Sequence, residues 1–305
     1  MAIDASPLVS DTGQKNRWNV ERRLEFIDSR LYWNGHINRG DLVDFFGISV
    51  PQASADLARY QEAAPGNVAY DKSAKTFVTG DRFQPAFFQP TGDGYLAHLR
   101  LLSSGMLSEQ EAAALRPPPF SIVPILRRRV EPEQLRRVLK AIREKTALDV
   151  RYQSFSRTDP SWRWISPHAL GFDGFRWHVR AWCHFREQFR DFVIARLLEV
   201  RDSKPSDADP RRDRGWHQEI TLKIGPHPGM AEGARRAIEL DFGMVDGSVE
   251  IKTRACLLFY VERFLGLDRD PSTVSPDQQQ IVLINREEVH ALRDDCDRSP
   301  LLPIK

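Results

Sequence analysis

Between Leu148 and Val200 the chain alternates apolar and polar residues with a period of two, in several successive runs. Val150, Tyr152, Ser154 and Ser156 share one parity, and so do Trp164, Ser166 and His168. Arg176, His178, Arg180 and Trp182 then alternate with Trp177, Val179 and Ala181, and Arg190, Phe192, Ile194 and Arg196 close the stretch. A period of two puts successive side chains on opposite faces of a strand. Asp173-Gly174, between two of the runs, is a hairpin turn pair. The pattern predicts a small antiparallel sheet curled into a barrel, with one face carrying arginine, hydroxyl and imidazole groups.

The same stretch is chemically biased. From Arg151 to Val200 it holds eight arginines and no lysine, four of the chain's seven tryptophans and three of its eight histidines. A solvated surface takes either cation. A site that grips planar or multi-oxygen anions favours guanidinium, which offers a fixed fork of donors and also stacks on rings. Interleaved aromatics add stacking surfaces for bases. Shared parity makes Tyr152, Ser154, His168, Arg180, Arg190 and Arg196 one candidate site for a nucleotide-like or oligonucleotide anion. Arg180 and Arg196 would fork phosphate oxygens, with hydroxyl contacts from Tyr152 and Ser154 and a hydrogen bond from His168. Two other readings stay open at this stage. The arginines could merely solvate the sheet, or they could pair with Asp173, Asp191 or Glu199 to hold the barrel together.

The segment SPHALGFDGFRWHVRAWC, followed by FRDFVIARL, resembles the WYL domain and, within it, the CapW/BrxR branch of regulators. At the Trp-Tyr-Leu tripeptide for which the domain is named, this chain reads Trp177-His178-Val179, departing at the middle letter. The resemblance implies an α+β multidomain chain. An N-terminal winged helix-turn-helix would precede a central SH3-like β-barrel (WYL) that senses a ligand, and a C-terminal small α/β domain would pair subunits. It also matches Arg196 to the arginine that closes the last WYL strand. The function it implies is a homodimeric repressor of an anti-phage defence operon of the CBASS or BREX kind, bound to a palindromic double-stranded operator.

The flanking regions fit that order. Val20, Leu24, Ile27 and Leu31 recur at helical spacing, and Leu42, Phe45 and Phe46 mark a second helix ending at Gly47. Ser49 can cap a third, with Pro51 in its first turn and Gln52 completing a capping box. The run NVAYDKSAKTFV reads as a hairpin wing around Asp71-Lys72-Ser73-Ala74-Lys75. The expected DNA contacts are Ser49, Gln52 and Ser54 on the third helix, Arg59 further along it, Arg39 at the start of the second, and Lys72 and Lys75 on the wing. Asp56 counts against a strongly basic recognition helix. The expected boundaries are a disordered leader over 1–16, the winged helix over 17–92 and a helical linker over 93–145. The WYL domain then spans 146–203, a polar linker 201–215 and the C-terminal domain 216–295. Subunit contacts are expected in the 94–142 helices, including one from Gly94 to Leu115, and in the C-terminal domain.

Composition excludes several classes. With 44 basic against 42 acidic residues and a formal charge of +2, the chain is no generic polycation, so nucleic-acid contacts must come from local patches. No apolar run is long enough to cross a bilayer, and the first 15 residues lack the apolar core of a signal peptide, so a cytoplasmic protein without membrane contact is expected. Cys183, Cys256 and Cys296 show no metal-ligand spacing, and neither metal nor cofactor is expected. Cys183 and His178 have opposite parity on one strand, which argues against a nucleophile–base pair and an enzyme. The rival reading is an RNA- or single-stranded nucleic-acid-binding barrel with an accessory helical domain.

Overall fold

The computed structural model describes residues 11–298 apart from 109–115, 125 and 127, with backbone alone at 11–18 and 297–298. The chain divides into two compact units, Met1–Ile125 and Leu126–Lys305. In the first, α1 (Asp11–Asn34) is followed by β1 (His36–Ile37), α2 (Arg39–Phe46), α3 (Val50–Ala63), β2 (Val68–Asp71), β3 (Thr76–Thr79) and α4 (Gly92–Ser103). The expected apolar stripes meet here: Leu24, Ile27, Leu31, Leu42, Ala53, Leu57 and Tyr60 form one buried cluster. Buried Asp28 accepts from the Tyr60 hydroxyl and from the backbone N–H of Ala86 and Phe87, tying the segment after the wing onto α1. Residues 11–16 of the expected leader are helical. They carry no apolar periodicity, and a helix already nucleated gains one bond per added residue. The rest of the leader lies outside the described residues. The helix expected to Leu115 ends at Ser103, and its expected second half, with the Ser108–Glu111 cap, falls partly outside them.

The second unit opens with α5 (Pro132–Glu144). Then come β4 (Thr146–Tyr152), β5 (Ser161–Phe172), β6 (Trp177–Cys183), β7 (Gln188–Val193) and, after a 3-10 turn over Ile194–Arg196, β8 (Leu197–Pro205). The order β7-β6-β5-β4-β8 is antiparallel throughout. This sheet curls, but among the described residues no ladder joins β7 to β8, so the expected barrel is not closed. Gln153 N–H donates to the Arg196 carbonyl, carrying the β4–β8 pairing one step further, and Val193 N–H at the end of β7 donates to the Tyr152 hydroxyl of β4. Val150, Ile165, Val179, Ala181, Cys183 and Phe192 fill the concave face, and Val138 and Ala141 of α5 pack into it. So α5, expected in the linker, is part of this domain.

The polar linker expected from residue 201 begins later. Arg201–Lys204 continue β8, paired with β4. Their polarity suits an outer strand face, where Arg201 lies over Trp162 and Lys204 over Trp164. At the Asp173-Gly174 turn the Gly174 φ is +91°, and a Cβ there would stand 2.4 Å from the Phe264 ring, so both conformation and packing require glycine.

The C-terminal part holds α6 (Arg214–His217), β9 (Glu219–Pro226), α7 (Glu232–Asp241), β10 (Val249–Arg254), α8 (Leu258–Leu265), β11 (Ile281–Leu283) and α9 (Arg286–Arg298). The expected β-α-β-α-β order is present, with β9 central and antiparallel to both neighbours. Ile220, Leu222, Ile224, Leu258 and Leu267 make its core. No described helix is long and apolar enough to cross a membrane.

Candidate functional site

Each unit carries one candidate site. In the first, Ser49 adopts extended backbone and its Oγ accepts from Gln52 N–H at 3.3 Å, capping α3. The second half of the expected capping box is missing because the Gln52 side chain turns the other way and donates to Asp56 Oδ1 at 3.1 Å. Asp56 is buried and paired with Arg23, whose Nε donates to Oδ2 at 2.6 Å. It therefore does not face solvent, and the exposed face of α3 from Val50 to Arg59 carries no acid. Gln52 and Arg59 are exposed, and the Ser54 hydroxyl donates to the Val50 carbonyl at 3.0 Å.

The wing forms as expected. Asp71 closes its turn by accepting from Ser73 and Ala74 N–H at 2.8 and 3.0 Å, and Lys72 and Lys75 stand exposed at the tip. Lys75 sits at φ +51°. Arg39, exposed at the start of α2, lies over the Phe77 ring of β3. All seven residues expected to meet DNA are thus in the winged-helix unit, with Ser49 engaged as a cap.

In the second unit the row of six candidate residues splits in two. Arg180 is buried and forks onto Asp213, with Nε to Oδ2 at 2.7 Å and Nη2 to Oδ1 at 2.9 Å, while its Nη1 reaches Asp191 at 3.2 Å. His168 Nε2 lies 2.8 Å from the same Asp213. It stands at a bulge between Pro167 and Ala169, where proline has no N–H for the ladder and the row loses its parity. Burial would raise the Asp213 pKa, but the bonds from Arg180 and His168 hold it down at about 2. Asp213 caps α6, and Tyr260 of α8 donates to Asp191 at 3.3 Å, so this network joins the sheet to the C-terminal part. The expected open polar face is covered there, and Arg180 and His168 belong to a structural ion network.

The other four candidates do come together. Tyr152, Ser154, Arg190 and Arg196 line a 330 Å³ pocket with Arg157, Arg163, Arg186, Asp191 and the exposed rings of Phe155 and Phe185. Ser154 lies beyond the end of β4, and Arg196 sits in the 3-10 turn, so loop geometry rather than strand parity gathers them. Among the described residues, none of the five arginines 157, 163, 186, 190 and 196 forms an ion pair. Arg196 lies 3.9 Å over the Phe155 ring. Burial, then the charges of Arg157 and Arg190, hold the Arg163 guanidinium below its ordinary pKa, and its Nε has no hydrogen-bond partner among the described residues. Tyr152 places its ring beneath Arg163, and its hydroxyl accepts from the Val193 N–H. Arg163 and Arg196 are half-buried and Arg157, Arg186 and Arg190 exposed, so the cluster gathers five forked donors around one opening.

The sequence alone did not single out Arg157, Arg163 and Arg186, while Asp191, expected as a possible arginine partner, does pair with Arg180. The signal of the three arginines was present: all are within the lysine-free stretch, but on the opposite parity or in turns. Among the described residues no group of His, Cys, Asp and Glu could hold a metal ion.

Comparison with known proteins agrees with this layout. The BrxR transcriptional regulator winged helix-turn-helix domain matches residues 19–101, the WYL domain 133–202, and the BrxR transcriptional regulator C-terminal dimerization domain 219–289. The DNA-binding transcriptional repressor CapW of Stenotrophomonas maltophilia is 44% identical over 94% of this chain and 97% of its own length. CapW repressors of Escherichia coli (strain KTE188) and Pseudomonas aeruginosa are 40% and 38% identical, each over 92% of this chain and 93% of their own length. Three matched domains in sequence and relatives alike over nearly their whole length show that the chain belongs to the CapW/BrxR family of WYL-domain regulators.

Proposed function

We propose that this protein is a homodimeric, sequence-specific DNA-binding repressor whose affinity for a palindromic operator changes when a nucleotide-like or oligonucleotide anion enters the arginine pocket. The DNA half rests on a capped recognition helix whose exposed residues from Val50 to Arg59 include no acid, beside a lysine-tipped wing, and on full-length likeness to DNA-binding repressors. Pairing of subunits is supported by the matched dimerization domain and by Leu240, Phe242 and Val245, exposed together at the end of α7. The observation that carries the sensor half is the pocket itself: five guanidiniums without a carboxylate partner among the described residues, flanked by two exposed phenylalanines.

Asp191 lines that pocket and also holds Arg180 and Tyr260, so it is the residue through which an anion would be felt by the C-terminal domain. A ligand shifts the DNA-bound state only through different affinity for two conformations, and an anion beside Asp191 supplies that difference by repelling its charge. The controlled genes are proposed to be an anti-phage defence operon of the CBASS or BREX kind, a reading that rests on the family alone. To test the sensor, a fluorescent five-residue oligothymidylate is titrated into the wild type and into R190A and R196A. Loss of one charge-assisted contact should weaken binding about ten- to a hundredfold in each variant. Equal binding by all three removes the pocket from the account.

A further inference from the structure

Asp56 has a second partner besides Arg23. Its Oδ2 takes Arg23 Nε at 2.6 Å, while its Oδ1 takes both Arg23 Nη2 at 3.2 Å and Gln52 Nε2 at 3.1 Å. Asp56 is 1% exposed and Arg23 7%, so the carboxylate is a buried anion whose charge the guanidinium holds. A carboxylate has no proton to give, and only the NH₂ end of a glutamine amide can face it. The exposed Gln52 side chain, third residue of α3, is therefore fixed in one of its two amide orientations. Its Oε1 and one remaining N–H are left for an outside partner.

We propose that Asp56 is a positioning residue that decides which base Gln52 reads, favouring adenine and rejecting guanine. This rests on α3 being the recognition helix. In the major groove adenine offers an N6–H donor beside the N7 acceptor, which an oriented glutamine amide meets with Oε1 and its free N–H. Guanine offers two acceptors, O6 and N7. A freely turning amide could present its NH₂ to them, but one anchored to Asp56 brings Oε1 against O6.

The same geometry predicts what happens when the anchor changes polarity. In Asp56→Asn the side-chain oxygen stays with Arg23 Nε, where the shorter bond lies, and the new NH₂ takes the place of Oδ1. Gln52 must then turn its oxygen inward and its NH₂ outward. The base preference should move from adenine to guanine.

The test is selection of bound duplexes from random DNA by the full-length wild type, Q52A and D56N. The position whose preference Q52A erases is the one Gln52 reads. Wild type should prefer adenine there over guanine by roughly ten- to a hundredfold, and D56N should reverse the order. A purely structural Asp56 would weaken D56N for all sequences alike without exchanging one base for another. Guanine preferred by the wild type at that position overturns the proposal, and so does an adenine preference unchanged in a folded D56N. If D56N does not fold, the wild type and Q52A still decide it through the base that disappears. A wild type that selects no sequence refutes the recognition-helix reading itself, and a Q52A that keeps every preference refutes the role of Gln52 while leaving the helix as reader.

Discussion

Replacing Arg180 by alanine should cost stability before it costs any signal. The side chain is 10% exposed and Asp213 only 1%, and Arg180 gives Asp213 two bonds and Asp191 a third. Alanine leaves Asp213, with His168 and the Trp216 N–H as its remaining partners, largely uncompensated in a buried place. Removing one partner of a buried, hydrogen-bonded ion pair costs about 3–5 kcal/mol. In a chain of this size that is roughly 10 °C of melting temperature, out of a total stability of about 5–15 kcal/mol. Acid should expose the same network. Asp213, held at about 2 in the folded state, titrates near about 4 when unfolded, so its contribution is complete above that pH and lost as pH falls from about 4 to about 2. Melting curves of wild type, R180A and R196A at neutral pH and at pH steps through that window are the assay. In contrast to Arg180, Arg196 has no ion pair among the described residues, so R196A should stay within about 0.5 kcal/mol of wild type. If R180A melts with wild type while R196A does not, the assignment of the two arginines is the wrong way round.

The other predictions follow the same geometry. R190A and R196A should keep DNA binding but lose the response to an anionic probe, read by anisotropy of a bound duplex with and without it. D191N removes the one carboxylate among the described residues that line the pocket and should bind the probe more tightly, by roughly tenfold, while transmitting its presence less well; weaker probe binding would contradict this. K72A and K75A should each lower affinity for all duplexes alike and reduce the salt slope by about one, measured between low and moderate salt. Joint replacement of Leu240 and Val245 by aspartate should turn a species of twice the monomer mass into a monomer by light scattering.

The helix-turn-helix was legible because its signals are local: spaced apolar residues, Gly47 as a left-handed cap, Ser49 as an N-cap and an Asp71 turn all act within a few residues. The strands of the WYL sheet were legible for the same reason. Which polar face is open was not. Arg180 and Arg190 read alike by parity, yet one meets Asp213, distant in sequence from its strand, and the other lines a pocket. A carboxylate 33 residues away leaves no mark on local alternation. The bulge at His168 and the 3-10 turn at Arg196 likewise break a row that the sequence shows as regular. Asp56 looked like an acid on the reading face, and its partner Arg23 lies on another helix.

Specific recognition of duplex DNA is the claim on which the rest depends. The direct measurement is the affinity of the wild type for a duplex selected from random DNA against a shuffled duplex of the same length, at one fixed salt concentration. The selected duplex should bind at least about a thousandfold more tightly and take up two subunits. Equal affinity for the two duplexes, falling alike with salt, would contradict it.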